Sequence, residues 1–568
     1  MRSPVLAPTA AATKHPVPDA HGTNLYSADP QLAALLSVYL PPALLDHLQP
    51  HLHELGALAG GHLDDLASTA DKHPPELQHR TRTGIDDQRV LKHPAYVAME
   101  RLAFGRFGLA AISHRQDVLG WQGQMPALVK YALTYLFVQA EFGLMCPVSM
   151  TDSLTRTLKK YGTPELVQRH LPALTSLDLD SLAQGAMFMT EQGAGSDIAA
   201  TATLARPDPD MPGAWLLSGD KWFCSNPDAA LAMVLARVEG DPAGMKGVSL
   251  FLLPRDLDDG SHNRYHIIRL KDKLGTRSMA SGEIRLEGAR AWLVGERGRG
   301  FAQMADMVNN SRLSNGVRAA GLMRRATTEA LHIAREREAF GKRLIDLPLM
   351  QRSLLKLLLP TEQARSMVFQ TAEALRRADA GEPGAYALAR ILTPLIKFRA
   401  CRDARKVTGD AMEVRGGCGY IEEWSDPRLV RDAHLGSIWE GTSNIVALDV
   451  LRAVRREQSL DALDKHLRGL LAELDADDSL RRDLEMALER ARRLTETACA
   501  DGGEALARRA ASSLYHLTTA TAMAWEAQRL RSPERRTLAQ LVLRHRLLPS
   551  DPLAPDSPLS HEALALLA

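Results

Sequence analysis

Trp215-Leu216-Leu217-Ser218-Gly219-Asp220-Lys221 reads as a β-hairpin with Gly219 in its turn. The stretches that follow repeat the theme. Residues 231–238, 248–253, 265–270 and 283–286 are short runs rich in Val, Ile and Leu, separated by Gly, Pro and Asp. Between about 188 and 294 the spacing therefore predicts a β-domain of seven or eight strands, a barrel or a sandwich.

On both sides the period changes to that of helices. From Gln31 to about Tyr161, Leu32, Leu35, Leu36, Leu44, Leu45 and Leu48 mix i+3 and i+4 spacings. After Gly300, amphipathic stretches cover about 301–338, 348–380, 384–416 and 443–457, with Pro348, Pro383 and Pro427 at or between their ends. The order α–β–α predicts a mostly helical α+β chain with a β-domain beside or between two helical bundles. We divide it into a loose tail (1–22), an N-terminal helical domain (23–182), a β-domain (183–296), a helical bundle (297–458) and a further helical domain (459–568).

Composition excludes several classes. A chain of 568 residues, 45% apolar and 24% charged, is that of an ordinary multidomain soluble protein. The formal net charge of +1 argues against whole-chain attraction to nucleic acid or acidic membranes. Cys146, Cys224, Cys401, Cys418 and Cys499 are scattered without CxxC spacing, which fits a reducing compartment and no metal site. One of the most apolar stretches, 354–359, is too short to span a membrane and contains Lys356. Residues 1–22 lack the features of a secretory or transit signal, so the expected location is cytoplasmic.

Three stretches carry chemistry. In Met189-Thr190-Glu191-Gln192-Gly193-Ala194-Gly195-Ser196-Asp197, glycines and hydroxyls let a loop approach a phosphate or a heterocycle edge. The same pattern also suits a flexible loop opening a strand domain. In Lys221-Trp222-Phe223-Cys224-Ser225-Asn226, strand alternation puts Phe223 and Ser225 on one face, where they can stack on and hydrogen-bond to a planar cofactor. An ordinary half-buried strand has the same pattern. In Ser437-Ile438-Trp439-Glu440-Gly441-Thr442-Ser443-Asn444-Ile445, Glu440 is the one formally charged residue between Asp432 and Asp449. A sheltered carboxylate on a glycine turn suits a general base. A helix-entry role at the positive end of the dipole also fits it, and Thr442 or Ser443 can cap that helix.

These stretches, with Arg337-Glu338-Ala339-Phe340-Gly341-Lys342 and Glu413-Val414-Arg415-Gly416-Gly417-Cys418-Gly419-Tyr420, stand in the order and spacing that resembles the acyl-CoA dehydrogenase family over about 150–455. Asn24-Leu25-Tyr26, Asp87-Gln88-Arg89-Val90, His93-Pro94, Leu144 with Cys146-Pro147, Lys271-Asp272-Lys273-Leu274-Gly275 and Ser437-Ile438-Trp439-Glu440 look like its AidB-like, adaptive-response branch, which carries an extra C-terminal helical domain.

The resemblance implies FAD between the β-domain and the bundle. Thr190 would meet the flavin pyrimidine edge, Ser196 a pyrophosphate oxygen, Phe223 the isoalloxazine and Ser225 the N5 region. Arg337 and Phe340 match positions that a neighbouring subunit lends to the same FAD, with Arg337 suited to pyrophosphate. Glu413, Gly416 and Gly417 match positions near the adenosine. The family more often has Gln at 413, and an acid there accepts ribose hydroxyls but repels phosphate. Met189, Gly195, Cys224, Ile438, Trp439, Gly441, Thr442 and Asn444 complete the implied cofactor site, and Arg312 the implied substrate contact. Glu440 matches the base that removes the α-proton of an acyl-CoA thioester while a β-hydride passes to flavin N5, with the Glu440 N–H and a ribityl hydroxyl stabilising the enolate. Some branches carry the base on an earlier helix; Ser311 stands there and cannot serve. Trp439 replaces a common Tyr, which narrows or reshapes the acyl pocket.

The resemblance also implies a homotetramer, a dimer of dimers, and double-stranded DNA as a partner of the last domain. Arg529, Arg531, Arg535, Arg536, Arg544 and Arg546 face one acid, Glu534, although residues 461–568 hold 15 Lys+Arg against 17 Asp+Glu. Such a run is also a solvated helix face. Two functions of different class remain: an FAD-dependent acyl-CoA dehydrogenase, or a DNA-binding flavoprotein protecting DNA during alkylation stress with vestigial dehydrogenation.

Overall fold

The structure, a computed structural model, describes residues 17–549, 551, 553 and 558–567. The N-terminal part holds α1 (Pro30–Tyr39), α2 (Pro42–Gly60), α3 (His62–Lys72), a hairpin of β1 (Glu76–Arg80) and β2 (Asp86–Leu91), then α4 (Pro94–Glu100), α5 (Ala127–Phe137), α6 (Met145–Tyr161) and α7 (Pro164–Leu174). The hairpin was not anticipated. Its strands are polar and half-exposed, so they show little hydrophobic alternation. Most of the expected loose tail, 1–16, lies outside the described residues. Residues 17–22 are not loose: the Gly22 N–H donates to Gly60 O at 2.6 Å and Arg415 donates to Pro18 O at 3.2 Å.

The sheet holds β3 (Gly185–Phe188), β4 (Leu204–Pro207), β5 (Ala214–Ser225), β6 (Leu231–Val238), β7 (Val248–Pro254), β8 (Tyr265–Leu270) and β9 (Ser281–Leu293). Strands β6, β4, β5, β9 and β7 pair in that order, and β7 pairs back to β6, which closes a barrel. In β6 and β7 both faces are apolar for a physical reason. Met233 and Leu235, with Leu250 and Leu252, join the helical core, while Val234, Ala236, Phe251 and Leu253 fill the barrel.

The expected hairpin at 215–221 is instead the middle of one 12-residue strand. Gly219 has φ +145°, and a Cβ there would come within 2.8 Å of Thr203 Cα. The glycine allows a close strand approach beside a bulge at Leu217/Ser218, not a chain reversal.

The bundle follows: α8 (Gly300–Glu336), a two-strand turn of β10 (Glu338–Ala339) and β11 (Lys342–Arg343), α9 (Pro348–Asp379), α10 (Ala385–Arg415), α11 (Ser425–Gly436) and α12 (Ser443–Glu457). The last part is α13 (Ser459–Ala472), α14 (Ser479–Cys499), α15 (Ala507–Leu530), α16 (Pro533–Val542) and α17 (His561–Ala565). Among the described residues, no helix is long and apolar enough to cross a membrane.

The C-terminal helices attach through buried charge. Arg365 of α9 donates to Asp29 at 2.7 Å, Arg324 of α8 to Glu362 at 3.1 Å, and Arg535 of α16 to Glu362 at 2.8 Å. Arg535 also pairs with Glu526 of α15, whose other oxygen accepts from Tyr39 at 2.8 Å. This corrects the expected DNA-binding role of Arg535. Residues 535, 538, 539 and 542 form the inner face of α16, so its guanidinium is fully buried. Arg536 is committed to Asp478 at 2.6 Å and Arg529 to Glu473; Arg531, Arg544 and Arg546 are exposed.

Breaking a buried pair from one side leaves an uncompensated charge, here Glu526. Arg535→Met is expected to lower unfolding free energy by about 3–5 kcal/mol in a denaturant titration. Changing Glu526→Met in the same chain should recover much of that loss. A single-variant loss under about 1 kcal/mol would contradict the role given to the pair.

Candidate active site

Helix α11 ends at Gly436, α12 begins at Ser443, and the chain between them turns sharply. Glu440 adopts φ +48° and Gly441 φ +101°. A left-handed glutamate is uncommon and needs support. That support comes from two buried cations: Arg312 Nε donates to Glu440 O at 3.0 Å and Lys397 Nζ to Gly441 O at 2.6 Å. Arg312 is anchored to Asp449 at 2.7 Å, and Arg390 holds the same carboxylate at 2.9 Å. Burial pushes the Arg312 and Lys397 pKa values down; Asp449 opposes this at Arg312, and Cys401 and then Glu440 oppose it at Lys397. Arg312, expected as a substrate contact, also holds the turn: its Nε and one terminal nitrogen are bonded within the protein.

The Glu440 side chain is half-buried and held at both oxygens. Ser311 Oγ donates to Oε1 at 2.7 Å, and Asn315 Nδ2 donates to Oε2. Ser311, excluded as a base, thus steadies the Glu440 carboxylate. Each carboxylate oxygen keeps acceptor capacity. Although isolated along the sequence, Glu440 lies among Arg312, Lys397 and their partners in space. Next to it, Trp439 stacks on Phe142 at a centroid distance of 5.9 Å, and Arg318 lies over both rings at 4.7 and 5.2 Å. Trp439 Nε1 and Asn315 Oδ1 are buried without a partner.

The other predicted positions fall into two groups. Thr190 is half-buried, and its carbonyl accepts the Trp222 N–H at 2.8 Å, tying the glycine loop to β5. Glu191 and Ala194 exchange backbone hydrogen bonds at 3.0 and 3.2 Å, leaving Gly195 and Ser196 exposed. Space is open within 4 Å of where a Cβ would stand at Gly193 and Gly195. Phe223 is 56% exposed and Ser225 half-buried, whereas Cys224 points into the barrel core, where burial pushes its thiol up. The Cys224 side chain is thus unavailable to a cofactor. Ile438, Thr442 and Asn444 sit at the surface. Neither Thr442 nor Ser443 caps α12: Thr442 makes no side-chain cap, and the Ser443 hydroxyl accepts from Arg402 at 3.3 Å.

In the second group, Arg337 donates to Arg415 O at 3.1 Å and lies against Gly416, beside exposed Glu413 and Gly417. Phe340 (φ +55°) and Gly341 (φ +74°) form the turn joining β10 and β11, with Phe340 95% exposed.

Sequence reasoning missed Asn315, Lys397, Asp449 and the clamp under the glycine loop. In that clamp Glu191 accepts from Lys221 Nζ at 2.6 Å and from Thr203 Oγ1 at 2.6 Å. The i, i+4 spacing of Ser311 and Asn315 was a usable signal; Lys397 and Lys221 had none locally.

A closed barrel between helical bundles, with a glycine loop and an exposed aromatic on the barrel and a clamped carboxylate on the bundle, defines an acyl-CoA dehydrogenase-type flavoprotein fold. Residues 16–181 match the adaptive response protein AidB N-terminal domain, 186–289 the acyl-CoA dehydrogenase middle domain, and 298–455 the acyl-CoA dehydrogenase C-terminal domain. The chain is 36% identical to the putative acyl-CoA dehydrogenase AidB of Escherichia coli K12, covering 69% of this chain and 71% of that one. It is 30% identical to acyl-CoA dehydrogenase family member 11 of Caenorhabditis elegans over 82% of this chain and 77% of that one. The crystal structure of C. elegans ACDH-11 in complex with C11-CoA superposes with a TM-score of 0.87, at 27% identity over 95% and 93% of the two chains. The chain belongs to the acyl-CoA dehydrogenase family of FAD-dependent oxidoreductases, in its AidB-like branch.

At Gly441 a Cβ would meet Ile445 and Val446 methyl groups at 3.2 and 3.3 Å and Arg312 at 3.4 Å, on a left-handed backbone. Gly441→Ala is expected to cost roughly 1–3 kcal/mol. Thermal unfolding reads this, and an unchanged midpoint would show that the turn is not strained.

Proposed function

We propose that the protein binds an acyl-CoA thioester between its FAD and Glu440, and that Glu440 takes the α-proton. The observation that carries this reading is the Glu440 carboxylate, set on a left-handed turn and fixed at both oxygens by α8. A base so held is positioned before substrate arrives, which is what proton abstraction from carbon needs.

The residues present fit FAD. The open glycine loop at 193–195, the exposed Phe223 ring and the Ser225 hydroxyl form a surface on which a planar, phosphate-bearing group can lie. Thr190, Ser196, Phe223 and Ser225 would hold it, with the Met189, Gly195 and Cys224 backbones and the 438–444 turn completing the site. Bound there, FAD supplies the hydride acceptor. The protein's own part is to orient the α-carbon over Glu440 Oε1 and Oε2, keep the carboxylate in place through Ser311 and Asn315, and present the Glu440 N–H to the thioester oxygen. The complex of the C. elegans relative with C11-CoA supports the substrate class.

Arg337 lies against Gly416, and the Phe340 ring, 95% exposed at a turn three residues on, suits a contact with a second copy, whose FAD the two would help to hold. We therefore retain a dimer of dimers as the assembly. For the DNA-protecting alternative, the arginine group reduces to Arg531, Arg544 and Arg546 at the surface, since Arg535 is buried and Arg529 and Arg536 are ion-paired.

Glu440→Gln should abolish acyl-CoA-dependent bleaching of the flavin under anaerobic conditions while FAD stays bound. Survival of the bleaching would remove Glu440 from the role of base.

A further inference from the structure

Among the described residues four arginines are less than 2% exposed: Arg318, Arg365, Arg415 and Arg535. Three are neutralised. Arg365 meets Asp29 and Glu362, Arg415 meets Glu329 and Asp426, and Arg535 meets Glu362 and Glu526. Arg318 is the exception. Its Nε reaches Ser314 O of its own helix at 3.3 Å, and both terminal nitrogens are buried without an oxygen or nitrogen partner, beside the Cys146 thiol. The nearby Glu440 carboxylate makes no hydrogen bond to it and is held instead by Ser311 and Asn315.

The position of this unmatched charge is informative. Residues 311, 315 and 318 follow i, i+4, i+7 spacing, so Arg318 shares the α8 face that holds Glu440. It stands about 4.5 Å further along the axis than Asn315, at about 1.5 Å per residue. Its guanidinium rests on the Trp439 and Phe142 rings, which carry no formal charge to balance it. Trp439 Nε1 adds another unused donor beside it. A buried site with unused donors and a guanidinium that no carboxylate bonds is costly until an anion enters.

Resting on the acyl-CoA reading above, we propose that Arg318 is the anion-recognising end of the acyl site, and that the preferred thioesters carry a carboxylate at the far end of a short acyl group. The guanidinium fork matches a carboxylate with two parallel hydrogen bonds. The Trp439 and Phe142 rings lie against the guanidinium, so this end of the site pairs a cation with two flat apolar faces. Arg318 would then set specificity without touching the α-proton chemistry of Glu440.

The test measures dissociation constants for the FAD-loaded protein by calorimetry, which needs no turnover. Glutaryl-CoA is compared with pentanoyl-CoA, and adipyl-CoA with hexanoyl-CoA, in wild type and Arg318→Met. The expected result is at least tenfold tighter binding of one or both diacid thioesters by wild type, with the ratio falling to one or below in Arg318→Met while the monoacid thioesters still bind. Equal or weaker binding of both diacid thioesters by wild type, or a ratio that persists in the variant, would overturn the proposal and leave the Glu440 reading standing. Should neither class bind, the acyl-CoA reading fails and this proposal with it. The wild-type comparison decides by itself if Arg318→Met does not fold.

Discussion

The candidate site of this protein depends on a left-handed turn at Glu440–Gly441, and that turn depends on charge. Two carbonyl oxygens in consecutive residues are each claimed by a buried cation, Arg312 and Lys397. The cations are tolerated because Asp449 and the neighbouring groups oppose the cost of their burial. An isolated glutamate would not choose φ +48°. Here the turn aims its side chain at α8, where Ser311 and Asn315 receive it. The strain and the aim have one cause: α8, α10 and α12 converge on the connector and dictate its path.

The coarse architecture was legible because it rests on periodicity. Helix spacing on both sides of a strand-rich centre gave the α–β–α order, and the bounds of α8, α9, α10 and α12 fall within a residue or two of the expected stretches. The closed barrel was not legible, since ring closure depends on β7 returning to β6, a long-range pairing with no local signature. Gly219 misled for a specific reason. Glycine marks both turns and close strand contacts, and only the position of Thr203 distinguishes them. The two-faced strands β6 and β7 read as plain apolar runs, and alternation emerges only when each residue is assigned to one of two cores.

For the site, the motifs located Glu440 and the glycine loop but not what holds them. Ser311 stands where some branches carry a base and Arg312 is expected to contact substrate; in the structure both also hold Glu440. The arginines of the last domain were misjudged in the same way. Charge counted along a sequence says nothing about which side of a helix it occupies. Arg535 faces inward with the apolar residues of α16, because Glu362 and Glu526 wait for it there. The charged attachment of α15 and α16 to α1 and α9 makes the extra domain part of the bundle's interior rather than an appended module.

Helix α8 carries both kinds of buried charge, and the difference between them separates scaffold from site. Toward its C-terminal end Arg324 and Arg325 meet Glu362, Asp64 and Glu329, so those charges are cancelled within the chain and fix how the domains sit together. Nearer its middle, Ser311 and Asn315 spend their donors on Glu440, and one turn on, Arg318 has no oxygen or nitrogen partner for its terminal donors. Folding alone gives no reason to keep an unpaired guanidinium in the interior, since replacing buried ionic groups by apolar ones of similar volume is often neutral or stabilising. A charge retained against that preference, on the face that also presents the carboxylate, is accounted for when its partner arrives with the ligand.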